Sequence, residues 1–181
     1  MISTETIITG QVRRGLNRLR SYNAAAAALV AGALQPLALA PFNLWPLALV
    51  GLGIFSLLLF KVTRRRAALV AGSFGVGLYG VGVSWIYVAI HQFGGASMLL
   101  AGLLTLVFVL AMAAIYAAPF ILSYKILGYG RLGILMVFPA CCLLGEWLRS
   151  WLLTGFPWLY TGYGHIDTPL SGWAPLLGVM G

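Results

Sequence analysis

Residues 96–124 read ASMLLAGLLTLVFVLAMAAIYAAPFILSY, a run without a single charged side chain. A helix needs about 20 apolar residues to cross a bilayer core of about 30 Å, and this run is longer. Further apolar runs occupy residues 24–42, 44–60, 67–90 and 132–147, and a shorter one begins near residue 169. The sequence therefore predicts an all-α integral membrane protein with five complete spans and the start of a sixth.

The composition excludes an ordinary soluble domain. Of the 181 residues, 61% are hydrophobic and 8% are charged, whereas about 25% of residues are charged in typical globular domains. The net charge of +8 does not indicate nucleic-acid binding, because the basic residues lie between apolar runs instead of gathering on one exposed face. We therefore expect the lipid bilayer, and no nucleic acid, around this chain.

The basic residues are distributed unevenly between the two sides of the predicted bundle. Ten of the eleven lie in three segments that five alternating spans would place on one side: Arg13, Arg14, Arg18, Arg20, Lys61, Arg64, Arg65, Arg66, Lys125 and Arg131. Only Arg149 lies on the other side. Since basic loops stay in the cytoplasm, the pattern predicts a cytoplasmic basic tail over residues 1–23, a transmembrane domain over 24–181 and an external segment over 149–168.

Small residues recur four apart in the third predicted span. The pairs are Ala68/Gly72, Ala71/Gly75, Ser73/Gly77 and Gly80/Ser84. Such pairs allow helices to approach closely in a membrane, where there is no hydrophobic driving force between them. Because the pairs lie on more than one face, we expect this helix at the centre of the bundle.

The most informative stretch is EWLRSWLLTGFPWLY at residues 146–160. Glu146 is the only acidic residue within a predicted span, and Arg149 follows three residues later on the same helical face. Ionisable groups in a membrane are costly, so they are usually paired or functional. The sequence Thr154-Gly155-Phe156-Pro157 predicts that the helix ends there and that the chain continues along the surface.

Two interpretations of this stretch stay open on the residues alone. One is an interfacial ion pair with an aromatic belt, because Trp and Tyr concentrate at headgroup level. The other is a site in which Arg149 receives an anionic phospholipid headgroup beside a lipid-facing aromatic floor. The candidate substrate- or lipid-facing residues are Glu146, Arg149, Trp151, Phe156, Trp158 and Tyr160. No metal-ligand spacing or cofactor motif is found, so we expect neither a metal nor a cofactor.

The same stretch resembles bacterial apolipoprotein N-acyltransferases. EWLR at 146–149 and WLLTGFPW at 151–158 carry the resemblance, and LAPF at 39–42, GVGVSWIYV at 80–88 and APLLGV at 174–179 extend it. The resemblance implies a multi-pass enzyme of the bacterial inner membrane that serves lipoprotein biosynthesis. The implied acyl donor is a membrane phospholipid, and the implied acceptor is the N-terminal S-diacylglyceryl-cysteine of an apolipoprotein.

The resemblance also implies where the chemistry takes place. In this family the acyl chain passes through a thioester on a cysteine, assisted by a glutamate and a lysine, in a nitrilase-like periplasmic domain that follows the membrane part. This sequence ends where a sixth span begins, so we expect the N-terminal membrane part alone, with no catalytic residue and no turnover by itself. Cys141 is not a candidate nucleophile, because it lies within a predicted span with no base in reach.

Two alternatives belong to other functional classes: a small multispanning transporter, and a membrane scaffold for a separate catalytic subunit. Transporters usually carry polar residues near the midplane or paired interrupted helices. The interiors of the predicted spans contain almost nothing ionisable, which argues against an ion-coupled transport path.

The orientation can be tested with reporter fusions at two positions. A reporter that is active only outside the cytoplasm should be silent when it is fused after Arg65 and active when it is fused after Trp158, because basic loops stay in the cytoplasm. Activity on the same side at both positions would contradict the predicted topology.

Overall fold

The structure, a computed structural model, describes residues 4–60, 62–127 and 133–180, and for residues 4–18, 127 and 153 it describes the backbone alone. All regular elements in these ranges are helical. The helices are α1 (Thr4–Ala33), α2 (Pro46–Leu58), α3 (Arg64–Gly82), α4 (Trp85–Val88), α5 (Met98–Leu122), α6 (Tyr124–Leu127), α7 (Phe138–Trp151) and α8 (Ala174–Leu177). Lys61, Arg131 and the predicted start of the fifth span at residue 132 lie outside the described residues.

Two helical segments are long and apolar enough to cross a membrane, by length and composition. They are Met98–Leu122, and Gly133–Trp151, in which a π-helical turn leads into α7. A third is obtained if α3 and the segment Trp85–Phe93 count as one span, since they follow one another with a bend of 49°. The prediction of an all-helical chain with membrane-capable helices is thus confirmed.

Five uninterrupted complete spans are not seen among the described residues. The regular helix in the first predicted span, 24–42, ends at Ala33, and a 3-10 turn follows over Gln35–Ala38. Pro36 contributes to this ending because proline has no backbone N–H to donate. The second predicted span, 44–60, contains only the 13 residues of α2. Near residue 169 the chain forms a 3-10 turn over Pro169–Trp173 and the single turn of α8.

Helix α3 lies at the centre of the bundle, as the small-residue pairs predict. It packs against α1 on one side and α5 on the other. A Cβ atom at Gly77 would overlap the backbone carbonyl of Leu29, and one at Gly75 would lie 2.8 Å from the Cα of Ala113. Both neighbouring helices therefore lie directly against the backbone of α3. This close approach is possible because glycine has no side chain.

Four phenylalanines from four helices meet in the core, and we call them the phenylalanine cluster: Phe55, Phe74, Phe120 and Phe138. The ring of Phe55 stacks on that of Phe74 with 4.1 Å between centroids. It meets Phe120 and Phe138 edge-on at 4.9 and 5.5 Å. Such pairs contribute about 0.5–1.5 kcal/mol each beyond the area they bury, so the cluster joins α2, α3, α5 and α7.

The close contact between α1 and α3 can be tested with a matched pair of substitutions. Gly77→Ala should lower the free energy of unfolding by about 1–3 kcal/mol, because the added methyl group forces the helices apart. Gly72→Ala, in the same helix but with open space around the added Cβ, should be neutral or stabilising by up to about 1 kcal/mol, because alanine favours helix over glycine. Unfolding in mixed micelles, followed by circular dichroism, measures both. Equal effects of the two substitutions would contradict the contact.

Candidate functional site

The chain folds back over the end of α7 immediately after the predicted helix break. Helix α7 ends at Trp151, a 3-10 turn covers Leu152–Thr154, and Gly155 follows with a φ of 87°, which suits a residue without a side chain. The amide of Phe156 then donates a hydrogen bond of 2.7 Å to the carbonyl of Arg149. We call residues 152–160 the return loop.

The guanidinium of Arg149 lies inside this loop. The residue is 1% exposed. Its Nη1 donates to the carbonyl of Phe156 at 3.3 Å and also to that of Trp158, and its Nη2 donates to the carbonyl of Leu159 at 3.0 Å. The planar, multi-donor geometry of arginine suits such a set of converging acceptors.

Two tyrosines place their rings against the same guanidinium. The Cζ of Arg149 lies 4.6 Å from the ring centroid of Tyr160 and 5.7 Å from that of Tyr79 in α3. Both tyrosines are buried. A cation near an aromatic face gains about 0.5–2 kcal/mol, with the larger values in desolvated sites. The return loop is therefore joined to α3 as well as to α7.

Glu146 completes the cluster from one turn earlier in α7. One carboxylate oxygen accepts hydrogen bonds from both the amide and the hydroxyl of Thr161, at 2.9 and 2.8 Å. The same oxygen lies 3.9 Å from Nη2 of Arg149. The predicted pairing of Glu146 with Arg149 is thus present, but the hydrogen bonds of the carboxylate go to the first residue after the return loop.

The aromatic residues of the return loop contact two other helices. Trp158 meets Trp85 of α4 edge-on with 6.1 Å between ring centroids, and Phe156 meets Phe108 of α5 at 5.0 Å. Trp158 and Trp85 are 59% and 50% exposed. The loop therefore presents one tryptophan on the surface, next to a second tryptophan from the bend that follows α3.

A sequence profile described as the N-terminal domain of apolipoprotein N-acyltransferase matches residues 31–181. The chain belongs to the apolipoprotein N-acyltransferase family. It is similar to the apolipoprotein N-acyltransferases of Pseudomonas syringae pv. tomato, with 50% identity over 98 residues (53% of this chain, 19% of the relative), and of Coxiella burnetii, with 46% over 101 residues (54% and 21%). The one from Vibrio vulnificus is 44% identical over 99 residues.

The matched part of the chain spans about a fifth of the length of these apolipoprotein N-acyltransferases, 19% and 21% of the first two. The profile match confirms the family resemblance drawn from the motifs at 146–149 and 151–158. The profile covers both motifs and also includes the upstream segments at 39–42 and 80–88.

The structure brings all six predicted site residues to one end of α7, but it places them differently. Glu146, Arg149 and Tyr160 are buried, Phe156 is half-buried, and Trp151 and Trp158 are exposed. Their role toward a substrate stays a prediction. Three participants were missed by sequence reasoning: Tyr79, Trp85 and Thr161. Tyr79 offers a signal in hindsight, since it is a polar aromatic side chain in the part of α3 that, after its three arginines, consists of small and apolar residues.

An open crevice of about 290 Å³ borders the cluster between α2 and α7. Leu52, Phe138 and Leu143 form apolar walls, and Glu146, Thr161 and His165 line its polar part. Arg149 does not line it. An anion that approached through this crevice would meet the carboxylate of Glu146 before it met the guanidinium.

The contact of Thr161 with Glu146 predicts a specific loss of stability. Thr161→Val should lower the free energy of unfolding by about 1–3 kcal/mol, because it removes a hydrogen bond to a buried carboxylate. Thr105→Val is the matched control, since its hydroxyl donates only to Ala101 of its own helix, and it should change the value by less than about 0.5 kcal/mol. Unfolding in mixed micelles measures both, and a neutral Thr161→Val would contradict the assigned contact.

Proposed function

We propose that this chain is the membrane-embedded N-terminal part of an apolipoprotein N-acyltransferase. Such an enzyme transfers an acyl chain from a membrane phospholipid to the N-terminal S-diacylglyceryl-cysteine of an apolipoprotein. The observation that carries the proposal is the profile match over residues 31–181. The membrane-capable helices support the location, because both the acyl donor and the acceptor of this reaction are held in a bilayer.

The proposed topology is five spans and the start of a sixth in the bacterial inner membrane. The proposed spans are residues 24–42, 44–60, 67–90, 96–124 and 132–147. They correspond to the end of α1 with the turn after it, α2 with its flanking residues, α3 after its three arginines with the bent segment that follows, α5, and the π-helical turn with α7 up to Trp147. The described basic residues support this orientation: Arg20, Arg64, Arg65, Arg66 and Lys125 precede or follow spans on the proposed cytoplasmic side. Residues 149–168, which include the return loop, then lie outside.

We infer that this part of the enzyme anchors the protein and contacts lipid, and that it supplies no catalytic residue. Acyl transfer through a thioester needs a thiol with a base in reach. Cys141 is buried within α7, and the sulfur of Cys142 contacts the hydroxyl of Tyr116 at 3.8 Å. Both thiols thus take part in helix packing.

Within this proposal the six site residues divide into two groups. Trp151 and Trp158 are exposed and contact lipid, in keeping with the preference of tryptophan for the membrane interface. Glu146, Arg149 and Tyr160 hold the loop from inside, and Phe156 lies between the two groups against α5. The phospholipid that donates the acyl chain would approach this aromatic surface from the outer leaflet.

A hybrid enzyme tests the proposed function. Residues 31–181 of this chain would replace the matching segment of the Pseudomonas syringae relative, in a strain depleted of its own N-acyltransferase. We expect the hybrid to restore N-acylation, because 98 residues of this chain match that relative with 50% identity. Mass spectrometry of lipoprotein N-terminal peptides distinguishes the N-acylated product from the peptide with a free amino group.

Two controls accompany the hybrid. The unmodified relative should give full N-acylation, and the 181-residue chain alone should give none, because we assign it no catalytic residue. A hybrid that inserts at the level of the unmodified relative, yet leaves the lipoproteins with free amino termini, would contradict the proposed function and favour a transporter or a scaffold.

A further inference from the structure

The side chain of Arg149 has no exposed surface to offer to a ligand; its relative accessibility is 0%. Arginine has five N–H donors and no acceptor. The two Nη atoms donate to three carbonyls of the return loop, and Nε is buried without a hydrogen-bond partner among the described residues. An anionic headgroup would therefore have to open the packing of the return loop to reach the guanidinium. The crevice beside it presents the carboxylate of Glu146, which repels an anion.

We propose that Arg149 is a positioning residue. Its guanidinium fixes the backbone of the return loop so that Trp158 meets Trp85, and the two rings together form the aromatic surface that contacts lipid. The identity of the ligand rests on the proposed function; the positioning itself rests on the contacts alone. The proposal also adds Trp85, from a distant part of the sequence, to the lipid-contacting residues.

The conformation of the return loop explains why it needs a central cation. The carbonyls of Phe156, Trp158 and Leu159 point toward one place, so their negative ends repel one another unless a donor lies between them. Thr154 and Leu159 have φ values of 76° and 61°. Left-handed backbone conformations are unfavourable at residues other than glycine, and the hydrogen bonds to the guanidinium offset that cost.

The position of Trp85 is defined by the backbone of the bend between α3 and α4. Trp85 begins α4 directly after the 49° bend, and backbone hydrogen bonds across the bend run from Val83 to Tyr79 and from Ile86 to Val83. Because the backbone at the bend is hydrogen-bonded, the direction of α4 is defined. The meeting of Trp85 with Trp158 therefore depends on two segments, the bend after α3 and the return loop, and Arg149 fixes the second of them.

Fluorine-19 NMR of the 181-residue chain with 5-fluorotryptophan tests the proposal. The chain would be placed in nanodiscs of phosphatidylcholine, and the signals of its six tryptophans would be assigned by single Trp→Phe variants. In the parent chain, Trp158→Phe should shift the signal of Trp85, because the rings are in contact. In the Arg149→Gln background the same substitution should leave the Trp85 signal unchanged, because the contact is lost.

Two further variants test whether the coupling between Trp85 and Trp158 depends on the shape of the Arg149 guanidinium or only on positive charge. Arg149→Lys keeps the positive charge but lacks the planar arrangement of donors, so the coupling between Trp85 and Trp158 should be weakened without being lost. Arg65→Gln replaces an exposed arginine of α3 and should leave the coupling at its parental value. The signal of Trp173, in the 3-10 turn after Thr168, should be the same in all variants.

The outcomes separate positioning from headgroup binding. If Arg149→Gln has the parental spectrum in phosphatidylcholine and differs only after phosphatidylglycerol is added, Arg149 binds headgroups and the proposal is overturned. If Arg149→Gln fails to insert, Arg149→Lys decides, and unchanged coupling in that variant overturns the proposal. The spectra do not depend on acyl transfer, so an inactive hybrid enzyme and an uncoupled tryptophan pair are separate results.

Discussion

A buried cation, the guanidinium of Arg149, is the constraint on which the end of this structure around the return loop depends. Moving a charge out of water costs several kcal/mol unless hydrogen bonds and counter-charges replace the lost solvation. Here three carbonyls, two tyrosine rings and one carboxylate replace it. Separation of the return loop from α7 would expose that charge to the bilayer or to solvent. The contacts of Arg149 therefore hold α7, the return loop and Tyr79 of α3 together.

The apolar helices of the bundle associate in a different way. Burial of apolar side chains contributes little between them, because lipid tails are as apolar as the side chains they meet. Helix α3 gains stability from close approach: a Cβ at Gly77 would overlap the backbone of α1, and one at Gly75 would crowd that of α5. Close packing thus joins α3 to α1 and α5, whereas the polar cluster joins α7 and α3 to the return loop. The cluster also determines the shape of the surface on which the exposed tryptophans lie.

The sequence predicted the features that depend on local composition. The run at 96–124 corresponds to α5 at Met98–Leu122, the small-residue pairs indicated the central position of α3, and the helix ends just before the Thr-Gly-Phe-Pro sequence. Hydropathy did not show that regular helix stops at Ala33, nor that α3 and α4 are separated by a bend, since apolar runs continue across both places. The end of a helix and the position of a bend depend on backbone hydrogen bonding. Hydropathy averaged over a stretch of sequence does not report this bonding.

The contacts of Arg149 lay beyond sequence reasoning for a related reason. Spacing predicted its neighbour Glu146, because residues three apart share a helical face. Its hydrogen-bond acceptors in the return loop are main-chain carbonyls, and every residue has one, so no pattern of residue types marks them. The contact of Trp85 with Trp158 could not be predicted either. It depends on both the bend after α3 and the path of the return loop.

The phenylalanine cluster has a consequence for the order in which the bundle assembles during synthesis. Phe55 and Phe74 come from helices made early, whereas Phe138 belongs to α7, which is made much later. Chains are synthesised from the N-terminus at about 5–20 residues per second, so α2 and α3 wait several seconds before the last ring arrives. Until then, Phe55 lacks the ring of Phe138 that meets it edge-on in the complete core. The core can therefore close only after the ribosome has passed α7.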